Sequence, residues 1–337
     1  MKANRQIVPV ETAADQILAR DRIMEILADE DIYIPTRFRN ESDKLALYNP
    51  KGILEKANAL LIEGDEGAYD LDNRLNDLDG KAWTKSTCSW FIFNALQSDL
   101  KEERNFLAET EEHPATFSPT MIENFIKFFT KEGMTVLDPF TGIGSTLVAA
   151  KRTKRNGFGI ELNKKYFDIA LARTPEFRNQ IFNRSCEDVL SIGLPEIDFC
   201  ISSPPYWDVL NRSTKDFKTI RNRKGLDSTY SDKDEDLGNI ENYDEFVSRL
   251  CNIYEDIYKV LRKDAYVVII LKNVKKDGVL YPLAWDVAKK LSEIYVLKDE
   301  KIWIQDKIGL APYGYPYSWV SNILHHYCLI FQKKEPK

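Results

Sequence analysis

The chain has 337 residues, 43% hydrophobic and 30% charged, with a net charge of −6. These values suit a globular protein holding one large α/β domain and an appendage, and exclude a disordered, fibrous or uniformly basic nucleic-acid coat protein. The first twenty residues are too polar for a signal-peptide core, and no apolar run approaches a membrane span. Cys88, Cys186, Cys200, Cys251 and Cys328 are scattered, with no CxxC pair and no histidine cluster, which argues for a reducing compartment and against a structural metal or disulfide frame. A soluble cytoplasmic protein with no metal and no membrane association is expected.

Residues 1–77 read as a mainly helical appendage. Thr12 and Asp15 form a capping pair for a helix burying Ile17, Leu18, Met24 and Leu27. Ile53, Leu54, Ala57, Leu60 and Leu61 recur at helical spacing and stop at Gly64. The polar run GDEGAYDLDNRLNDLDG follows as a connection.

From about residue 113 strands and helices alternate. Ser118 and Pro119 open a helix through Phe129, and Gly133 ends it. Thr135–Asp138 reads as a buried strand, 145–154 as a helix of small residues, 157–161 as a strand and 164–173 as a helix. Further strands are expected at 180–184, 197–202, 265–271, 296–304 and 324–332. Asn242 and Glu245 cap an amphipathic helix bearing Phe246, Leu250, Ile253, Ile257 and Leu261, and another helix carries Leu283, Val287 and Leu291. Such alternation implies a parallel sheet with helices on both faces and a ligand outside the carboxyl ends of its strands.

Two motifs fall at those ends. The strand TVLD runs into Pro139, Phe140 and a turn containing Gly142 and Gly144, and Ser145 and Thr146 open the next helix. Glycines let backbone approach a ligand closely, and the helix start offers free N–H groups. Alone, such a turn could hold a dinucleotide or be a tight connection. Asp138, suited to an ammonium group, and Glu161, placed to accept from ribose hydroxyls, favour S-adenosylmethionine.

The second motif is Ser203-Pro204-Pro205-Tyr206-Trp207, ending a buried strand. Adjacent prolines donate no backbone hydrogen bonds and hold rigid, extended geometry, so their carbonyls are fixed acceptors. An aromatic ring beside them offers a stacking face for a planar base. The amino group of a nucleobase is a poor nucleophile because its lone pair is delocalised into the ring. Acceptors from Ser203 and the Pro204 carbonyl can draw its N–H bonds out of conjugation. Just beyond, Arg212, Lys215, Lys218, Arg221, Arg223 and Lys224 stand against one acid, Asp216. Taken alone this is a solvated loop paired with the acidic stretch after it; beside the motif it becomes the leading candidate for DNA backbone contact.

These residues resemble the N4-cytosine and N6-adenine DNA methyltransferases, over roughly residues 78–337. DPFTGIGST (138–146) is similar to that family's cofactor motif and SPPYW (203–207) to its catalytic motif, in the order cofactor first. HPATFSP, with Pro114, Ala115 and Phe117, resembles the cofactor-binding segment upstream. LDGKAWTKSTCSWF (78–91) is also similar to a stretch of some members. Glu161 matches the ribose-binding acid, and Asp188 sits where a residue contacts adenine. His325-His326-Tyr327 stands where many members carry His-Glu-Tyr, and both histidines are read as terminal-hairpin residues.

The resemblance implies a Rossmann-like, seven-stranded, mostly parallel sheet with an antiparallel last strand, spanning 78–337, with 208–241 a DNA-contacting loop. It implies methyl transfer from S-adenosylmethionine to an amino group of a base flipped out of double-stranded DNA, with Tyr206 stacking on the base. Partners would be that DNA and a cognate restriction endonuclease or other defence-system subunits. Serine at position 203 points to cytosine N4, with adenine N6 the rival, since either amino group can be accepted by either side chain. Methylation of RNA or of a protein amide fits less well, and so does an inactive DNA-binding subunit.

Overall fold

The computed structural model describes residues 5–9, 45–50, 59–64, 67–70, 73–93, 117–207, 236–276 and 278–334. The chain divides into two units, Met1–Cys88 with Lys127–Glu132, and Ser89–Ile126 with Gly133–Lys337.

In the first unit β1 (Arg5–Pro9), β2 (Leu45–Pro50), β3 (Ala59–Gly64) and β4 (Gly67–Asp70) form an antiparallel sheet in that order. Leu60 and Leu61 therefore lie on a strand, where their spacing suggested a helix. Gly64 pairs with Gly67, so β3 and β4 are neighbours in sequence and in the sheet. The proposed helix over 12–27 lies outside the described residues. A short helix, α1 (Gly80–Ser86), starts where the Asp79 carboxylate accepts from the Ala82 amide at 2.8 Å. Asn76 Nδ2 donates to the Phe128 carbonyl at 2.7 Å, and the Trp83 and Phe128 rings lie 5.2 Å apart.

The second unit starts with β5 (Trp90–Ile92) and α2 (Pro119–Phe129). As its composition implied, α2 opens at Ser118, whose carbonyl accepts from the Met121 and Ile122 amides. Then come β6 (Thr135–Asp138), α3 (Ser145–Arg152), β7 (Asn156–Ile160), α4 (Lys164–Arg173), β8 (Ile181–Phe182) and β9 (Ile197–Ser202). After residues outside the description follow α5 (Tyr243–Val260), β10 (Leu261–Leu271), the small hairpin β11 (Val274–Lys276) and β12 (Val279–Tyr281), α6 (Leu283–Leu291), β13 (Val296–Ile304) and β14 (His325–Gln332). The Asn242 side chain accepts from the Glu245 amide at 2.9 Å and so caps α5 as expected.

The main sheet runs β5-β13-β14-β10-β9-β6-β7-β8. All strands are parallel except β14, which is antiparallel to both β10 and β13. Counted from β6, the strands other than β5 stand in the order 3-2-1-4-5-7-6. This is the expected α/β architecture with one correction: among the described residues this sheet has eight strands, because Trp90–Ile92 pairs outside β13. The antiparallel last strand is interior.

Strand side chains alternate between faces. Leu137, Cys200, Val267, Ile269 and Leu271 share a core with Phe246, Leu250 and Ile257 of α5 and Leu283, Val287 and Leu291 of α6. Their neighbours Val136, Phe199, Ile201, Val268 and Ile270 are also fully buried. Both faces of the central strands are thus covered, which explains why these strands read as continuous apolar runs.

Candidate functional site

The strand order reverses between β6 and β9, which pair through Val136 with Phe199 and Leu137 with Cys200. A crevice opens outside the carboxyl ends of strands at such a point. Asp138 ends β6 and Ser203 follows β9, so this register brings the glycine turn and the SPPYW segment to the same stretch of sheet edge.

Within the turn, the Asp138 carboxylate is 4% exposed and accepts from the Phe140 amide at 3.0 Å and the Thr146 hydroxyl at 2.5 Å. Burial pushes its pKa up to about 7, against those two hydrogen bonds, which favour the charged form. Thr141 donates its hydroxyl to the Asp138 carbonyl and its amide to the Ile160 carbonyl, locking the turn onto β7. Gly144 has φ +86° and caps α3, and a Cβ there would stand 3.1 Å from that of Ala170. Only glycine meets both the left-handed backbone and the close approach. Pro139 is buried and Phe140 half-buried. Ser145 and Thr146 are buried in the first turn of α3; the Ser145 hydroxyl has no hydrogen-bond partner among the described residues.

Glu161 follows β7 and holds the turn from the other side. Its carboxylate accepts from the Gly142 amide and the Asn163 amide, each at 2.7 Å. Burial raises its pKa to about 7, outweighing those bonds, and the charges of Asp138 and Asp236 push the same way. Asn183 was not anticipated: its amide donates to the Glu161 and Leu162 carbonyls at 2.8 and 3.1 Å and fixes the segment carrying the acid. Asp188 lies exposed in the 3₁₀ turn Cys186–Ser191. Pro114 and Ala115 fall outside the described residues, as do Arg212, Lys215, Lys218, Arg221, Arg223 and Lys224 and nearly all of the 208–241 segment.

Beyond β9, Ser203 is half-buried and its hydroxyl is within reach of the Ile270 carbonyl at 3.2 Å and the Tyr206 hydroxyl at 3.3 Å. Pro204 is buried, whereas Pro205 and Tyr206 are half-buried. Trp207 is a wall of the core: its indole N–H donates to the Glu241 carbonyl, and its ring packs between Tyr243 and Tyr281.

A line of rings runs from the SPPYW segment to Phe117 of the upstream HPATFSP segment. Tyr206 lies 6.0 Å from His326, which stacks on Trp303 at 4.3 Å, and Trp303 lies 5.4 Å from Phe117. His326 is therefore buried against aromatic faces, and burial, then the charge of Lys272, lower its pKa to about 3. Lys272, one residue past β10, is itself half-buried, with its pKa lowered by burial. The sequence marked His326 only as a terminal-hairpin residue and Lys272 only as a lysine closing the apolar run VVIIL.

A family model described as DNA methylase, of the N6/N4 type, matches residues 22–172. Over that span the chain is similar to the N4/N6 amino DNA methyltransferases. The matched span begins upstream of residue 78, where resemblance was expected to begin, and ends before Ser203. Among curated relatives, Type II methyltransferase M.HindIII of Haemophilus influenzae is 39% identical over 104 residues, covering 30% of this chain and 34% of that protein. Type II methyltransferase M.ScaI of Streptomyces caespitosus is 36% identical over 74 residues, 22% of this chain and 24% of that protein. The aligned stretches thus span about a quarter to a third of those relatives. Among solved structures, TrmN from Thermus thermophilus is 12% identical with a TM-score of 0.43, covering 65% of this chain and 50% of that one. Among the described residues no helix is long and apolar enough to cross a membrane, and no group of three His, Cys, Asp or Glu is placed to hold a metal ion.

Proposed function

We propose that this chain transfers a methyl group from S-adenosylmethionine to the exocyclic amino group of a DNA base rotated out of the helix, with cytosine N4 as the target. The observation that carries this reading is the parallel pairing of β6 with β9 where the strand order reverses, which puts Asp138 at the end of one strand and Ser203 just past the end of the other.

The residues present fit the cofactor. Each carboxylate oxygen of Asp138 and Glu161 accepts one hydrogen bond from the protein and keeps a lone pair free, Asp138 for an ammonium group and Glu161 for the two ribose hydroxyls. The buried Ser145 hydroxyl supplies a further polar atom at the start of α3. Phe117, Pro139, Phe140, Gly142, Gly144, Thr146 and Asp188 complete the proposed cofactor set, with Pro114 and Ala115. Bound there, S-adenosylmethionine would supply an electrophilic methyl on a sulfonium.

The chain's own contribution is to shape the nucleophile. Ser203 can direct its proton to the Ile270 carbonyl or the Tyr206 hydroxyl, which leaves its oxygen lone pairs for an incoming N–H. The Pro204 carbonyl, held by the rigid Pro204-Pro205 pair, accepts the second N–H. Two fixed acceptors would pull the amino nitrogen toward a tetrahedral form with its lone pair available; taking the methyl would break the methyl–sulfur bond, leave a neutral thioether and release one amino proton to water. Tyr206 stacks on the base. The segment 208–241, with its six basic residues, contacts the DNA backbone, and residues 1–77 form an appendage to the catalytic part at 78–337. The matching family model, described as DNA methylase, supports DNA as the substrate.

The test is to incubate the protein with unmethylated DNA and labelled S-adenosylmethionine, digest to nucleosides and identify the product by mass. N4-methylcytosine is expected. N6-methyladenine would overturn the base assignment alone. Label appearing only in RNA or protein would overturn the whole reading.

A further inference from the structure

The loop joining β13 to β14 carries an unusual surface. Along APYGYPYSW, Tyr313, Tyr315, Tyr317 and Trp319 are 60%, 81%, 94% and 88% exposed, and Leu310 before them is 73% exposed. Four large aromatic rings within seven residues would be buried in an ordinary loop, because each carries a hydrophobic surface of roughly 150–250 Å².

This loop is nevertheless built to a definite shape. Asn322 clamps its two limbs, accepting from the Ala311 amide at 3.0 Å and donating to the Ala311 carbonyl at 2.9 Å. Gly314, at φ +79°, accepts from the Tyr317 and Ser318 amides, and a Cβ there would strike the Ser318 carbonyl at 2.4 Å. The Lys275 ammonium donates to the Ser321 carbonyl and hydroxyl at 2.6 and 2.7 Å, tying the loop to β11. A fixed scaffold that points rings outward keeps them ready for an external partner.

Its place in the fold says which. Because β14 is antiparallel to β10 and β13, the loop leaves and re-enters the sheet at the carboxyl edge, the edge that also carries Ser203 and Tyr206. Its re-entry strand brings His326 to within 6.0 Å of Tyr206, ring to ring. From Ile308 to Leu324 there is no charged side chain, so nothing in this stretch repels phosphate. Lys275 borders it, 6.0 Å from the Trp319 ring centroid, and the next residue, Lys276, lies 4.8 Å from the ring centroid of Trp207 in the SPPYW segment. Uncharged aromatic faces bordered by lysines are the combination that stacks on unpaired bases regardless of their identity.

We infer that the 310–319 loop is a base-stacking surface, with Tyr317 and Trp319 packing on bases exposed when DNA is opened beside the Ser203–Tyr206 site. The inference rests on the proposed action on DNA and adds a second point of contact to the basic segment at 212–224.

The experiment compares the full chain with a Tyr317→Ala/Trp319→Ala variant and a Trp319→Phe variant. Both changed positions are almost wholly exposed, so thermal midpoints should match. Affinity is measured by anisotropy for a labelled 20-nucleotide single strand and for a duplex with a central abasic site, and methyl transfer to unmethylated DNA is followed in parallel. The double alanine variant should lose at least roughly tenfold in affinity for both probes, Trp319→Phe should retain most of it, and indole fluorescence should be quenched by DNA in wild type but less in Trp319→Phe. Unchanged affinity in the alanine variant, with wild type binding and methylating DNA, would overturn the stacking role and leave the enzymatic reading intact. Wild type that neither binds nor methylates DNA would overturn both. A dimer in sedimentation that the alanine variant dissociates, with DNA affinity unaltered, would assign the loop to self-association instead.

Discussion

Replacing Asp138 by asparagine should make the unliganded protein more stable above neutral pH, although it removes a residue proposed to be functional. The Asp138 carboxyl is 4% exposed and titrates near 7 rather than at 3.8, chiefly because burial disfavours its charge. That displacement corresponds to about 4 kcal/mol. The sign follows from proton binding. Between about pH 4 and 7 the folded protein holds a proton that the unfolded chain has released, so folding stability is highest below that window and falls as pH rises through it. Asparagine carries no charge, can accept from the Phe140 amide and can donate to the Thr146 hydroxyl. At pH 8 the variant should therefore gain up to about 4 kcal/mol, on the order of 10 °C in thermal midpoint. Glu161 titrates near the same pH for the same main reason, so Asp138→Asn should roughly halve the pH dependence without abolishing it. Scanning fluorimetry from pH 5 to 9 without ligand measures this directly. A variant whose midpoint falls between pH 5 and 8 as steeply as wild type, or one less stable than wild type at pH 8, would refute the reasoning.

Other outcomes follow from the same geometry. Ser203→Ala should lower methyl transfer by about 10²–10³-fold while calorimetry still detects S-adenosylmethionine binding; lost cofactor binding would mean that Ser203 supports the turn instead. Gly159→Ala should cost about 1–3 kcal/mol in chemical denaturation, because the added Cβ would stand 2.5 Å from the Thr141 hydroxyl and 3.2 Å from Leu147. Leu250→Ala, in the α5 core beneath β9 and β10, should cost about 2–5 kcal/mol by the same measurement.

The parallel core was legible because its signals are local. Thr135–Asp138 and Ile197–Ser202 match the sequence reading to the residue, since short apolar runs between glycine, proline and polar breaks leave little choice. Asn242 and Glu245 announced α5 through capping chemistry that sequence displays openly. Elements defined by remote partners were not legible. Leu60 and Leu61 satisfy both a helical and a strand spacing within so short a window, and only pairing with β2 and β4 decides between them. Trp90–Ile92 becomes a strand only because β13, some two hundred residues later, offers it an edge. Around the site, Asp138, Glu161 and Ser203 stood at predictable strand ends. His326 meets Tyr206 on one side and Trp303 on the other through strand register, which a linear reading does not contain.

The same remote pairing has a consequence for how the molecule is made. The Trp303 indole donates to the Phe93 carbonyl across 210 positions, and β5 pairs with β13 over a similar span. During synthesis the β6-to-β10 half, with both proposed motifs, can form while β10 still presents a bare edge. That edge is covered only when β14 has emerged and slotted between β10 and β13. Any translational stall before residue 325 would leave an open, apolar strand ready to join another nascent chain, so yield in the cell should depend on how quickly residues 296–332 follow.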